Sequence, residues 1–134
     1  MLSTTIDIDT ERHLEVRDVT ASVRQAVTAD HTGAVLVHCR HTTAGIVINE
    51  AESRLLGDLV DHLRTVVDAG PYRHDEIDDN AAAHLRASIL GPSVVIPVVD
   101  GDLDLGTWQS VLFVECDGPR RRTVAIRPLA GKQA

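Results

Sequence analysis

Residues 52–68 place the strongest constraint on how this chain can fold. Leu55, Leu56, Leu59, Leu63, Val66 and Val67 recur at helical spacing and form one apolar stripe, while Asp58, Asp61 and Arg64 fall on the opposite side. Ala69-Gly70-Pro71 supplies a stop. A helix with one apolar face needs a surface to lie on, because packing of that face supplies most of a helix's stability. The surface here is a sheet, since the segments on either side carry strand patterns.

Residues 3–9 alternate apolar and polar, and residues 13–17 read as their hairpin partner around Thr10-Glu11-Arg12. Asp18 or Thr20 then caps a helix through Val19, Val23, Ala26 and Val27, closed by Gly33. Residues 34–41 form a strand with Val35, Val37, Cys39 and His41 on one face and Leu36, His38 and Arg40 on the other. Residues 44–49 are apolar at nearly every position, the pattern of a strand buried on both faces. Asp79 or Asn80 caps a third helix through Ala81, Ala82 and Ala83 that ends at Gly91-Pro92. Residues 93–99 are another buried strand by their apolar run, although Pro97 suggests an edge or a bulge. Asp100-Gly101 turns it toward Leu103 and Leu105. Residues 108–116 and 122–127 read as a closing pair around Gly118-Pro119. The expected fold is α+β, one compact domain over residues 1–134, with three helices on a mainly antiparallel sheet.

Aromatic residues make up only 2 %, so the core is expected to be built from Val, Leu, Ile and Ala. The formal charge of −7 argues against a nucleic-acid partner, whose phosphates need a positive surface. Any anion must meet a local basic patch. No stretch reaches the length of a membrane span and no signal-type run opens the chain, so cytoplasm is the expected location. The two cysteines, Cys39 and Cys116, lack the CxxC spacing of a thiolate metal site and are given packing roles.

Residues 74–88 carry the densest chemistry. His74 and His84 flank a carboxylate run, and Ser88 lies one turn beyond His84 on the same helical face. Such a stretch can build a metal or proton-transfer site, and equally it can be a solvated loop with two surface histidines. His41 stands where one strand ends and the next begins. Three imidazoles from three elements satisfy the protein side of an open zinc site, although spacing does not show that they converge. His13, His31, His38 and His62 read as surface or sheet-edge residues. Glu115 shares a strand face with Val111 and Phe113, where a carboxylate must be paired, bonded or protonated unless it reaches water at the strand end. Gly106-Thr107-Trp108-Gln109 holds the single Trp and offers a stacking plane and an amide, with plain core packing as the alternative. Arg120, Arg121 and Arg122 form the one dense basic run, suited to phosphate or to a solvated turn.

Taken in order, His41-Thr42-Thr43-Ala44, Asn49-Glu50, His74-Asp75, Asp79-Asn80, Ala83-His84, Ser88, Ile96-Pro97, Gly101, Leu105-Gly106-Thr107-Trp108-Gln109, Glu115 and the arginine run resemble the YjbQ family, also called the secondary thiamine-phosphate synthase enzyme family. The resemblance spans nearly the whole chain. It implies a homotrimer with a polar pocket near the subunit boundary. It also implies condensation of a hydroxymethylpyrimidine pyrophosphate with a thiazole phosphate, giving thiamine phosphate and pyrophosphate. Carried onto this sequence, it implies a divalent metal on His41, His74 and His84, zinc by ligand chemistry with magnesium as the alternative. Asp75, Glu115 and Gln109 become the expected catalytic groups, and Thr42, Thr43, Asn49, Asn80, Ser88, Trp108 and Arg121 the expected substrate contacts. Two other readings stand beside it: a metal-dependent hydrolase in which Glu115 or Asp75 takes a proton from water, and a non-enzymatic trimeric module that binds metal or a small anion.

Overall fold

The computed structural model describes residues 3–130. Its strands are β1 (Thr4–Asp9), β2 (Glu15–Asp18), β3 (Gly33–Cys39), β4 (Ala44–Asn49), β5 (Ser93–Val99), β6 (Asp102–Leu103), β7 (Ser110–Glu115) and β8 (Arg121–Ala130). The helices are α1 (Thr20–Ala26), α2 (Ser53–Val66) and α3 (Ala81–Leu90), with a 3₁₀ turn over Arg73–Glu76. The expected order of elements and the α+β class hold. The strands form two antiparallel sheets, one in the order β1-β8-β3-β5-β6 and one in the order β2-β7-β4.

The two sheets face each other across the main core. Ile8, Val35, Val37, Ile96, Val98, Val124 and Ile126 come from the larger sheet and meet Ile46, Val111 and Phe113 of the smaller one, with Val19, Val23 and Val27 along α1 closing the space. The outer side of the smaller sheet is covered by α2 and α3, where Leu63 and Ala83 pack with Val114, Cys116 and Leu14. Strand β7 is therefore buried on both faces, and its apolar residues from Val111 to Val114 are at most 1 % exposed. The α3–β4 contact needs Gly45: a Cβ there would meet the Gly91 carbonyl oxygen at 2.8 Å. That closeness lets the Ile46 N–H donate to the same carbonyl at 3.0 Å.

Several pairings differ from the sequence expectation. β1 and β2 are not a hairpin: β1 pairs with β8 and β2 with β7. Likewise β7 and β8 are not a closing pair, because the chain changes sheets between them. Alternation specifies which face of a strand is apolar and leaves its partner open. Gly33 does not end α1, which stops at Ala26; Gly33 opens β3. The cap position of α1 is Val19, which has no capping side chain, rather than Asp18 or Thr20; Asp18, one residue earlier, accepts from the Thr20 N–H at 3.0 Å. Within α2 only Leu63 is buried, and Leu55, Leu56 and Leu59 are half-buried. The outer face of the larger sheet is also apolar and open: Val95 is 55 % exposed, Val99 56 % and Leu129 39 %. Among the described residues no helix is long and apolar enough to cross a membrane.

Candidate functional site

β7 carries its apolar alternation to Glu115, and the period places that carboxylate inside the protein. Glu115 is fully buried. The paired charge comes from β8, where Arg122 precedes the inward-facing Val124 and Ile126 by one strand period. Arg122 Nε donates to Glu115 Oε1 at 2.8 Å, and Nη2 donates to the other carboxylate oxygen. The Thr10 hydroxyl donates at 2.8 Å and the Asp117 N–H at 3.0 Å. Arg122 Nη2 also reaches the Thr43 hydroxyl at 2.9 Å. Burial alone would raise the Glu115 carboxyl, but these donors, Arg122 foremost, outweigh it and hold the carboxyl below its ordinary value. Glu115 is thus an ionised, satisfied acceptor. Gly118 is needed beside it, because a Cβ there would meet Glu115 Cγ at 2.8 Å.

The network continues outward through Asp117. Asn80 Nδ2 donates to Asp117 Oδ2 at 3.2 Å and Arg120 Nη2 donates to the same oxygen at 3.0 Å. Asn80 occupies the cap position of α3 without capping it. That task falls to Asp75, whose Oδ1 accepts from the Ala81 N–H at 3.0 Å while Oδ2 accepts from the Tyr72 N–H at 2.8 Å. These two backbone donors hold the Asp75 carboxyl below its ordinary value. His74 lies in the 3₁₀ turn and His84 in the first turn of α3, and their rings meet edge to face with centroids 4.7 Å apart. Two buried side-chain atoms lack a partner among the described residues, His74 Nε2 and Asn80 Oδ1, and both belong to this junction.

His41 stands apart from that pair in its bonding. The Thr123 N–H donates to its Nε2 at 3.0 Å, which uses the lone pair of a neutral ring. Burial first and the Arg122 charge second push the imidazole below its ordinary value. Among the described residues no three His, Cys, Asp or Glu side chains are grouped to hold one ion, so the protomer brings together His74 and His84 but not the full trio.

The remaining expected site residues fall elsewhere. Gln109, Trp108 and Asn49 lie at the opposite end of the smaller sheet, since Asn49 pairs with Ser110 while Ala44 pairs with Glu115. Five residue steps of β7 separate these ends, about 17 Å at roughly 3.4 Å per residue. Gln109 Oε1 accepts from the Gly106 N–H at 2.9 Å, and Trp108 is 73 % exposed. Asn49 Oδ1 accepts from the Glu50 N–H at 2.8 Å. Thr42 is exposed beside His41, and the Ser88 hydroxyl donates to the His84 carbonyl at 2.9 Å. Arg121 is exposed and pairs with Asp7 at 3.2 Å. The arginine run is therefore divided: each of its members faces a carboxylate of the protein.

Sequence reading missed Thr10, Asp117 and Arg86. Arg86 carried a signal, since it lies three residues after Ala83 and four before Leu90, on the apolar side of α3. Thr10 and Asp117 carried none, because both act from turns.

Comparison with known proteins matches residues 4–131 to a family described as UPF0047 protein YjbQ-like. A UPF0047 protein of Archaeoglobus fulgidus is 46 % identical over 125 residues, 92 % of this chain and 98 % of that one. UPF0047 protein YugU of Bacillus subtilis is 40 % identical over 92 % of this chain and 96 % of its own length. The crystal structure of a hypothetical protein from Aeropyrum pernix K1 superposes with a TM-score of 0.94 at 46 % identity, covering 98 % of this chain and 100 % of that one.

Proposed function

The chain belongs to the UPF0047, YjbQ-like family, and from that premise we propose that it is a homotrimeric enzyme of the thiamine-phosphate synthase type. The reaction joins a hydroxymethylpyrimidine pyrophosphate to a thiazole phosphate and releases pyrophosphate. The observation that carries the reading is the junction at the start of α3. His74 Nε2 is buried without a partner beside the His84 ring, and a buried nitrogen left unbonded is costly unless something occupies it. An imidazole lone pair suits a divalent ion, zinc by ligand chemistry with magnesium as the alternative.

His74 and His84 would hold such an ion, and the third donor, His41, would have to come from another copy and exchange its bond from the Thr123 N–H for the ion, or give way to a different group. When bound, the ion would supply positive charge against the leaving pyrophosphate. Asn80, fixed by Asp117 through Nδ2, offers its Oδ1 at the same junction. Trp108 offers an open aromatic face to the pyrimidine. A trimer would let the Trp108 end of one subunit serve the histidine end of another. The exposed apolar face of Val95, Val99 and Leu129 supports such assembly.

A second reading, a metal-dependent hydrolase, is favoured by one observation. Arg120, Arg121 and Arg122 are each engaged by a carboxylate, so the run offers pyrophosphate no unpaired guanidinium fork. Metal analysis of the purified protein, followed by a condensation assay with both substrates with and without chelator, tests these readings. The transferase reading expects bound metal and chelator-sensitive thiamine phosphate formation. His74→Ala and His84→Ala should lower metal content sharply, while His13→Ala and His62→Ala should not. Metal-dependent turnover of other phosphorylated compounds without condensation would favour the hydrolase. Bound metal with no turnover would leave a binding module, and absence of metal from freshly purified protein would overturn both enzymatic readings and leave only an anion-binding module.

A further inference from the structure

A cavity of about 520 Å³ opens between the end of α2 and the start of α3, walled by Leu14, Arg64, Ala69, Ala82, Ala83 and Arg86. His41, His74 and His84 do not line it. Its volume lies within the range of small-molecule pockets.

Arg86 makes this cavity more than a gap between helices. Only Arg86, Glu115 and Arg122 are buried charged side chains among the described residues. Glu115 and Arg122 neutralise each other. Arg86, 6 % exposed, has no carboxylate within ion-pair distance among the described residues. Its Nε donates to the Leu63 carbonyl at 3.1 Å and its Nη2 to the Val67 carbonyl at 2.7 Å. Those carbonyls belong to the end of α2 and carry only the partial negative charge of a helix C-terminus, so they hold the fork without cancelling its charge. Among the described residues Nη1 has no hydrogen-bond partner, and Arg86 is one of the side chains that wall the cavity.

The surroundings define what would fit. At the first turn of α3 the Ala81 N–H is taken by Asp75, and the Ala83 and His84 N–H groups by the Asn80 carbonyl, which leaves the Ala82 N–H. Arg64 stands exposed on the same wall with only a surface pair to Asp61 at 3.4 Å. His13 also lines the cavity. Two carboxylates line it as well: Asp75, whose oxygens are both committed to backbone donors, and Asp79, which is exposed.

We propose that this cavity binds a small molecule through one oxyanion, a carboxylate or a phosphate, with the free edge of the Arg86 fork as its anchor and Arg64 at the mouth. A planar guanidinium already fixed on one edge is preorganised to present the other to an oxyanion. Asp79 at the rim suits a ligand whose far end carries hydroxyl or amino hydrogens. The site shares Asp75 and Asn80 with the histidine junction but none of its imidazoles, and it stands whether or not that junction binds metal.

The test is amide NMR of the intact protein titrated separately with inorganic phosphate and with acetate. The expected result is saturable shifts confined to residues 13–14, 63–69 and 75–86, and the tighter of the two anions identifies the oxyanion. Arg64→Gln, a surface change, should weaken that anion about tenfold, as loss of one charge-assisted contact does. Arg86→Lys keeps the charge but loses the fork and should weaken it further. No saturable shift at these residues with either anion up to tens of millimolar would overturn the proposal. So would unchanged affinity in Arg64→Gln, which keeps the test decisive should Arg86→Lys fail to fold.

Discussion

The two ends of β7 are built from opposite principles. At the Glu115 end the polar groups are buried and bound to one another: Glu115, Arg122, Thr10 and Thr43 are each at most 6 % exposed. At the Ser110 end Gly106, Trp108, Gln109 and Asn49 are exposed, and their bonds run to near neighbours in sequence. A buried ion pair gains little over an apolar core of the same shape, but it holds the segments that carry it in one arrangement. Here those segments are β7, β8, the turn after β1 and the turn before β4. An exposed indole gains nothing from the fold it decorates. Its environment changes only when something covers it. The closed end therefore reads as the part that fixes the architecture, and the open end as the part that meets another molecule.

The largest effect should come from Glu115→Gln. It leaves Arg122 buried without its counter-charge, which typically costs about 3–5 kcal/mol. Denaturant unfolding should show this as a large fall in midpoint. Replacing both partners by apolar residues of similar volume, Glu115→Leu with Arg122→Met, should cost much less than the single change. If the single and double variants are equally unstable, the pair is not the organising contact of this end.

The same carboxylate contributes to the acid limb of stability. Its folded value lies below the ordinary one, so the unfolded state takes up a proton first as pH falls. The stability it contributes is complete above the ordinary glutamate value of about 4.3 and is lost as pH falls below that toward the folded value. Unfolding midpoints followed between about pH 6 and pH 3 should drop more steeply in the parent protein than in Glu115→Gln. Parallel curves would assign the acid limb to other carboxylates.

How these two ends could be read from sequence differs as well. The inward face of β3 is legible from period-two alternation, β4 from its unbroken apolar run, α2 from helical spacing, and α3 from its alanines and the Gly-Pro that follows. The apolar run of β5 reads as burial on both faces, whereas the strand buries only one. The pairing of β1 with β8 is not legible, because long-range partners leave no local trace. Glu115 was recognisable as a carboxylate needing a partner, and Arg122 falls in phase with Val124 and Ile126. The run Arg120, Arg121 and Arg122 disguised this by suggesting one patch, whereas successive strand residues point to opposite faces. His74 and His84 were singled out as neighbours in sequence and their rings do meet. His41 shares only its residue type with them, which carries no distance.

An intermediate effect is expected at Thr10. Its buried hydroxyl donates to Glu115 and accepts from the Arg120 N–H at 2.8 Å, joining the ion pair to the start of β8. Thr10→Val keeps the shape and removes both bonds, leaving the part-buried Arg120 N–H unpaired and the buried carboxylate with one donor fewer. A loss of about 1–3 kcal/mol is expected, the range for leaving a buried polar group unsatisfied. Thermal unfolding would measure it. A change no larger than that of Thr42→Val at the exposed neighbouring turn would show that water replaces the hydroxyl and that the end is less closed than its burial indicates.

The smallest effect on stability should be that of Trp108→Ala, and it separates the two ends most directly. With 73 % of the residue exposed, the ring has little apolar area removed from water, so its truncation should change unfolding free energy by no more than about 0.5 kcal/mol. A core aromatic in the same position would cost about 3–5 kcal/mol. Because Trp108 is the only tryptophan, its fluorescence reports this end alone. Dilute protein without ligand should emit as a water-exposed indole, and emission should move to shorter wavelength when the ring is covered. Raising protein concentration tests coverage by another copy, and adding hydroxymethylpyrimidine pyrophosphate at fixed concentration tests coverage by the proposed substrate. A shift in the first arm would place the open end at a subunit boundary, and a shift confined to the second would make it a stacking platform. Emission that stays at long wavelength in both arms, joined to a large stability loss in Trp108→Ala, would mean that the ring contributes through the fold and that the contrast between the two ends of β7 is wrong.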